Sequence, residues 1–337
     1  MDQAFPSIDL FLWAKLFMAR IAIIVPIYNV ERYLDDCLES LSNQSFKDFE
    51  VVLVDDGSPD RSENIYNRYL NEDNRFRLQK QSNQGLGPAR NNGLRSVDSE
   101  FAVFVDSDDR LDNNFLEKMI SAADETGSSI VCCGYKMIDT FGETRKEMLF
   151  SSSNITIREK TEKVTLPVNA WGKLYKNIHF EDLDFPAIKY EDLAVIPYIT
   201  LSAENVSLIP DTLYHYRITP GSLARVNHND ETNMVALDHL IQIFKNKYLF
   251  DSYHDEIEYL FVRHLLRYRL MEGWPSLRYL KNVYKYGKIN FPKWHKNYYF
   301  STHNDVNDLK LFRILGPLFY KFYLSGRHKF RFDARYI

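Results

Sequence analysis

Residues Phe104–Arg110 read Phe-Val-Asp-Ser-Asp-Asp-Arg, an acidic cluster closing an apolar run, Glu100–Asp106, that has the pattern of a buried strand. Such a strand sets Asp106, Asp108 and Asp109 at one edge of a sheet. Like charges at that spacing are costly unless a cation binds them. A divalent metal carrying a nucleotide diphosphate is the natural candidate, because hard cations take oxygen ligands. The alternative is a solvated acidic turn ahead of a helix start at Asp112–Asn114, where acids are also favoured. The segments upstream decide between the two.

Ile21–Val25 is a continuous apolar run ended by Pro26, which predicts a buried strand. Val30, Tyr33, Leu34, Cys37, Leu38 and Leu41 follow with helical spacing. Phe49–Val54 predicts a second strand, stopped by the turn Asp55-Asp56-Gly57-Ser58-Pro59, and Ile65, Tyr66, Tyr69 and Leu70 line the next helix. Arg75–Lys80 alternates as a third strand. Gln84-Gly85-Leu86-Gly87-Pro88 is a loop opening a helix through Ala89–Val97. Glu100–Asp106 is the fourth strand, Asn114–Thr126 a helix and Ser129–Tyr135 a fifth strand. Alternation of this kind means an α/β fold with a parallel sheet covered on both faces, whose ligands sit at the C-terminal ends of strands. Pro26-Ile27-Tyr28, Asp55-Asp56, Asn83 and Asp106–Asp108 all fall just after strands, so the fold must bring them together. Further on, Glu191–Leu201 is helix-like, Val206–Ile209 and Leu213–Arg217 are strand-like, and beyond Asp230 the chain reads as helices, with a stripe at Ile257, Leu260, Phe261, His264, Leu265 and Tyr268.

Composition bounds the answer. The 337 residues are 45% apolar and 26% charged, which excludes a disordered chain, and a net charge of −4 leaves no nucleic-acid footprint. The three cysteines, Cys37, Cys132 and Cys133, read as buried reduced thiols with no zinc site. No stretch is long and apolar enough to span a bilayer. Met18 reads as a natural start, with residues 1–17 an extension or, alternatively, an interfacial helix.

Four motifs occur in order: Ile24-Val25-Pro26-Ile27-Tyr28-Asn29, Val54-Asp55-Asp56-Gly57-Ser58, Asn83-Gln84-Gly85 with Ala89-Arg90-Asn91-Asn92-Gly93, and Asp106-Ser107-Asp108-Asp109. Each follows a predicted strand or opens a helix. Together they resemble the family 2 glycosyltransferases of the GT-A fold, of the type found in bacterial polysaccharide biosynthesis. The resemblance implies a Rossmann-like, mostly parallel central sheet flanked by helices over residues 21–220, preceded by an extension over 1–20. A helical region over 221–337, outside the resemblance, is expected to follow and to associate with a membrane or pack on the core.

Laid on this sequence, the resemblance implies a nucleotide site of Pro26, Tyr28, Asp55, Asp56, Asn83, Gly85, Arg90 and Asp106, with Tyr28 as a stacking face for the base. Arg90 would line the diphosphate or relieve carboxylate crowding by pairing with Asp106 or Asp108. Asp106 and Asp108 would hold Mn2+ or Mg2+, with His215 of Tyr214-His215-Tyr216-Arg217 as a further ligand or as a structural residue. The metal neutralises the departing diphosphate. Asp192, with Glu191 beside it in Tyr190-Glu191-Asp192-Leu193, would be the catalytic base of a single displacement with inversion; helix capping is the other use of such a pair. Trp171 and Lys173 in Ala170-Trp171-Gly172-Lys173-Leu174-Tyr175 would contact the acceptor, or Trp171 would pack the sheet. Arg217 would touch diphosphate or lie on the surface.

The implied activity is transfer from a nucleotide-sugar, a UDP-sugar, to a glycan or lipid-linked glycan hydroxyl. A catalytically inactive binding module would have lost Asp108 or Asp192. A sugar-phosphate nucleotidyltransferase would carry a basic Gly-rich loop where Pro26-Ile27-Tyr28-Asn29 stands. The tail Leu309–Ile337 mixes aromatic and basic residues. It suits either an anionic inner-membrane surface, at about 1 kcal/mol per basic residue, or a helix packed on the core. The expected place is the cytoplasm, peripheral on the cytoplasmic face of the inner membrane.

Overall fold

The computed structural model describes residues 18–219, 231–267, 275–300 and 316–317. These divide into two compact units. Residues up to 157, 170–187 and 203–218 form the first, and residues 158–169, 188–202 and 219 onward the second. The single boundary expected near residue 220 is therefore replaced by an interleaved one. The basic-aromatic tail expected to meet a membrane, and the segment 1–17, lie outside the described residues except for Gly316 and Pro317. Among the described residues no helix is long and apolar enough to cross a membrane.

In chain order the first unit begins β1 (Ile21–Ile27), α1 (Glu31–Ser42), β2 (Phe49–Asp55), α2 (Ser62–Glu72), β3 (Phe76–Lys80), α3 (Leu86–Leu94) and β4 (Phe101–Phe104). It continues β5 (Arg110–Leu111), α4 (Phe115–Thr126), β6 (Ile130–Ile138), β7 (Thr144–Met148) and β8 (Ile155–Ile157). After residues belonging to the second unit it closes with β9 (Lys173–Lys176) and β10 (Val206–Arg217). The sheet order is β3-β2-β1-β4-β9-β6-β10-β5. Strands β3, β2, β1 and β4 are parallel, as the alternation predicts, while β9 enters antiparallel to both β4 and β6. The sheet is thus mixed beyond β4.

The apolar runs explain the parallel half. Every residue of β1 is buried, as suits a strand covered on both faces. Pro26 lacks an N–H, yet it costs no ladder bond: β4 stops pairing at Phe104, opposite Ile24, and the last bond on that side runs from Val105 N–H to Ile24 O. Helix α1 buries Leu34, Cys37, Leu38 and Leu41 in the core, where each leucine contributes about 1.5–3 kcal/mol as an upper figure.

Three boundaries differ from the sequence expectation. Helix α3 starts at Leu86 rather than Ala89, because Pro88 falls in its first turn, where the missing N–H has no intrahelical partner to lose. Gly87 is needed in that turn, since a Cβ there would lie 2.3 Å from Pro186 O. Strand β6 runs on to Ile138. The two predicted strands after residue 205 are one strand, β10, whose register against β6 shifts on both sides of Thr212. Such irregularities bend a strand and re-aim its side chains. Cys37, Cys132 and Cys133 are buried and free.

The second unit holds α5 (Lys160–Lys163), α6 (Glu191–Ser202), α7 (Thr232–Asn246), α8 (His254–Phe261) running into a π-helical turn Val262–Arg267, and α9 (Leu277–Asn290). Its core gathers Leu237, Leu240, Phe244, Ile257, Leu260, Leu265 and Tyr279. Arg263 donates to the carbonyls of Val164, Thr165 and Leu166 at 3.1, 2.8 and 3.3 Å, which ties the 158–169 segment to these helices.

Candidate active site

The loops after β1 and β2 are built as a pair. Tyr28 follows β1 and is 49% exposed, and Asn29 takes a left-handed backbone (φ 52°) that asparagine tolerates. Asn29 N–H donates to Ser58 Oγ at 2.9 Å. Glu31 N–H, at the start of α1, donates to Asp60 at 2.7 Å, and Arg61 N–H, ahead of α2, donates to Glu31 at 2.7 Å. Asp60 thus takes the first N–H of α1, while Glu31 of α1 takes the N–H just ahead of α2, so the two helix starts are tied together. Asp60 also accepts from the Ser58 hydroxyl and Ser62 N–H. Its burial acts to raise the carboxyl, but these donors outweigh it and bring the value down to about 2.

Asp55 and Asp56, expected to meet base and ribose, are engaged with the protein. Asp55 accepts from Ser58 N–H and from the Tyr66 hydroxyl, both at 2.8 Å. Asp56 accepts from Gln81 Nε2 at 2.7 Å and from the backbone N–H groups of Gln84 and Gly85 at 2.8 Å each. The second acid therefore folds the 81–85 loop, leaving Asn83 exposed on it. Gly85 is there for its backbone, φ 93°, since a Cβ would meet nothing within 4 Å.

The acidic turn after β4 is gripped from below. Asp109 is fully buried, and its carboxylate accepts from the Tyr214 hydroxyl at 2.6 Å and from Arg217 N–H at 2.7 Å. Tyr214 Oη also accepts from Asp106 N–H at 3.2 Å. Arg217 is buried and donates to Asp108 O at 2.8 Å and to Asp36 at 2.9 Å, with its guanidinium over the Tyr33 ring. Asp109 N–H closes the turn onto Asp106 O at 2.9 Å. Arg90, 1% exposed between Phe104 and Phe185, donates to Asp106 at 2.9 Å.

With Asp109 turned inward, Asp106 and Asp108 are left half-buried at the edge of the sheet. No hydrogen bond from another residue's side chain reaches the Asp108 carboxylate among the described residues. Burial, and then the negative charge of Asp106, push Asp108 up to about 6. Burial with Asp108 and Asp106 nearby pushes Asp109 well above the usual carboxylate range. Two oxygen-donor side chains on a fixed turn, crowded by like charge, fit a hard divalent cation.

His215 corrects an expectation. The side chains of β10 alternate between faces, and Tyr214 takes the face toward Asp106 and Asp109. His215 points elsewhere: Nε2 lies 2.7 Å from Asp112 Oδ1, and Nδ1 is 3.4 Å from Arg110 Nε. Both ring nitrogens are occupied, so His215 is not arranged as a third metal ligand. Arg217 is neither a surface residue nor a diphosphate contact but a buried clamp. Trp171 packs the sheet, stacked on Tyr214 at 4.6 Å and Tyr216 at 5.2 Å with Tyr135 on its edge. Lys173 is 1% exposed in β9, opposite Cys132, and presents no acceptor-facing charge.

Asp192 and Glu191 open α6 in the second unit. Tyr190, immediately before them, has φ 61°, a left-handed backbone that costs a non-glycine residue about 1–2 kcal/mol. Glu191 is buried and Asp192 partly exposed, with Asp192 Oδ1 accepting Leu193 N–H at 2.8 Å. The residue that sequence reasoning missed is Tyr214. Nothing in the sequence signalled its contact with the acidic turn, because that contact depends on the shifted register of β10 against β6.

A family model described as Glycosyl transferase family 2 matches residues 22–183. Glycosyltransferase GlyA of Streptococcus pneumoniae serotype 4 is 35% identical over 220 residues, 61% of this chain but 32% of GlyA, so the chain spans about a third of that relative's length. EpsJ of Bacillus subtilis strain 168, an uncharacterized glycosyltransferase, is 30% identical over 245 residues, 69% of this chain and 70% of EpsJ. Among solved structures, Staphylococcus aureus TarS 1–349 in complex with UDP-GlcNAc superimposes with TM-score 0.66 at 21% identity, over 93% of this chain and 94% of that one. That likeness establishes the GT-A fold. With the ordered motifs at the strand ends, the matched family model and the coverage of EpsJ, this chain is a member of glycosyltransferase family 2.

Proposed function

We propose that the chain is an inverting, metal-dependent glycosyltransferase moving a sugar from a UDP-sugar to a hydroxyl of a glycan or lipid-linked glycan. The observation that carries this is the clamped turn. Tyr214 and Arg217 bury Asp109 and fix the backbone, which leaves Asp106 and Asp108, of the turn's three acids, half-buried at the sheet edge. Support for the donor comes from TarS, solved with UDP-GlcNAc and named a poly(ribitol-phosphate) β-N-acetylglucosaminyltransferase. That name supports a polymer of the poly(ribitol-phosphate) kind as the acceptor class, and the proposal places the enzyme in the cytoplasm, peripheral to the inner membrane.

Asp108, with Asp106, would hold Mn2+ or Mg2+. When bound, the metal neutralises the diphosphate as its charge grows. Tyr28 offers its ring to the base, and the loop at Asn83 and Gly85, held by Asp56, borders the ribose. Arg90 sets the orientation of Asp106. Asp192 takes the proton of the acceptor hydroxyl, the acceptor oxygen bonds to the anomeric carbon, and the bond from that carbon to the diphosphate oxygen breaks, releasing UDP. One base suffices for this displacement, whereas a retaining hydrolase needs two close carboxyls. The test is UDP release from UDP-GlcNAc with Mn2+, with and without glycan acceptors. Asp192→Asn should lower turnover roughly 10²–10⁴-fold and leave donor binding intact. A parent chain that binds UDP-sugar and never turns it over would be a binding module instead.

A further inference from the structure

His254 and Glu258 lie four residues apart on α8 and so share one face. A ring nitrogen of His254 and one carboxylate oxygen each from Asp255 and Glu258 lie within 4.8 Å of one another. Glu258 is the unusual member. It is 3% exposed; one oxygen accepts from Asn297 Nδ2 at 2.8 Å, while Oε1 is buried with no hydrogen-bond partner. Neither Glu258 nor Asp255 is paired with a lysine or arginine among the described residues. A first-turn acid such as Asp255 is satisfied by the helix terminus. Glu258 lies a turn further in, and burial of an orphaned carboxylate oxygen calls for a cation.

The remaining geometry suits a metal rather than a lysine. The His254 ring is held half-exposed, edge-on to Phe250 and Phe291 at 5.7 and 5.9 Å. Asn297 also donates to Asp255 O at 2.7 Å, so the segment carrying it is tied to the same turn. We propose that His254, Asp255 and Glu258 bind a first-row divalent cation of the Zn2+ or Mn2+ class, through one imidazole nitrogen and two carboxylate oxygens, with water completing the shell. Zinc–nitrogen and zinc–oxygen bonds of about 2.0–2.2 Å set tetrahedral ligands about 3.4 Å apart. The present separations, up to 4.8 Å, must close by about 1.4 Å on binding. The imidazole favours these ions over Mg2+ and Ca2+. The bound ion offsets the buried charge of Glu258 and fastens α8 to the Asn297 segment.

Titrating Zn2+ without nucleotide into the full chain carrying Asp106→Asn and Asp108→Asn isolates this site from the candidate donor site. One saturable site is expected by calorimetry, together with a melting temperature that rises with Zn2+. Adding His254→Gln or Glu258→Gln should weaken binding roughly 10–100-fold and abolish the rise. Glu258→Gln keeps the shape of the side chain; should it fail to fold, Asp255→Asn, at an exposed position, carries the same comparison. Absence of saturable binding from micromolar to low-millimolar Zn2+ overturns the proposal. So does undiminished binding in the His254, Asp255 and Glu258 variants.

Discussion

Tyr214→Phe removes one oxygen and leaves the ring stacked on Trp171. Two bonds go with it. Asp109 loses the donor at 2.6 Å, and Asp106 N–H loses the acceptor at 3.2 Å. A hydrogen bond to a charged group is worth about 1.5–3 kcal/mol, and a long neutral one about 0.5–1. Asp109 is fully buried, so no water replaces the lost hydroxyl without rearrangement. Its carboxyl is already pushed well above the usual range, and proton uptake relieves part of the loss. The lower part of the range therefore applies, about 2–3 kcal/mol. Urea unfolding of parent and variant gives this directly. The transition that belongs to the first unit must be followed, since two compact units need not unfold together. The same change loosens the turn carrying Asp106 and Asp108, so affinity for UDP with Mn2+ should fall about tenfold, or about 1.4 kcal/mol. A variant with parental stability and parental UDP affinity would refute the claim that this hydroxyl holds the acidic turn.

Two further outcomes follow from the same contacts. Asp60 is lowered to about 2 against an unfolded value of about 3.9, so its stabilisation is fully present above pH 4 and is lost as pH falls through 2. Such a shift corresponds to about 2.6 kcal/mol, and solvent screening at this partly exposed site reduces it to about 1–1.5 kcal/mol. Asp60→Asn should therefore cost that much at pH 7, with the gap to the parent narrowing below pH 4; a gap independent of pH would count against the tie between the two helix starts. His215→Gln should keep Mn2+-dependent UDP affinity within about twofold, because the ring serves Asp112 and Arg110. A tenfold loss by calorimetry would restore His215 to the metal shell.

Local pattern carried the parallel half of the fold into view. Buried β-branched runs at Ile21–Val25 and Phe49–Val54, with amphipathic helices between them, have few other solutions. The same pattern placed Tyr28, Asp55, Asp56, Asn83 and Asp106–Asp108 at strand ends, where the structure has them. What it could not supply was long-range. Whether Asp55 and Asp56 face a ligand or the protein depends on Tyr66, Gln81 and Gln84 arriving from other segments. The orientation of His215 depends on the register shifts at Thr212, which no period-two pattern reveals. Trp171 and Lys173 read as acceptor contacts because Ala170–Tyr175 resembles the acceptor-side segment that precedes the Glu-Asp motif in the family. Their burial in β9 and its approach comes from antiparallel pairing with β4 and β6, partners distant in sequence. Glu191 and Asp192 follow their helix into the second unit, which tertiary packing alone decides.

The central claim is that Asp106 and Asp108, fixed by Tyr214 and Arg217, hold a metal that binds a nucleotide diphosphate. Melting temperature measured with UDP, in the presence and absence of Mn2+, tests it most directly. At a ligand concentration 100 times Kd, binding adds about 2.7 kcal/mol to the folded state. The account predicts a rise with UDP that is larger when Mn2+ is present, and loss of that Mn2+-dependent part in Asp108→Asn while the variant itself remains folded. A folded parent chain that shows no rise with UDP and Mn2+, or a rise untouched by Asp108→Asn, would contradict it.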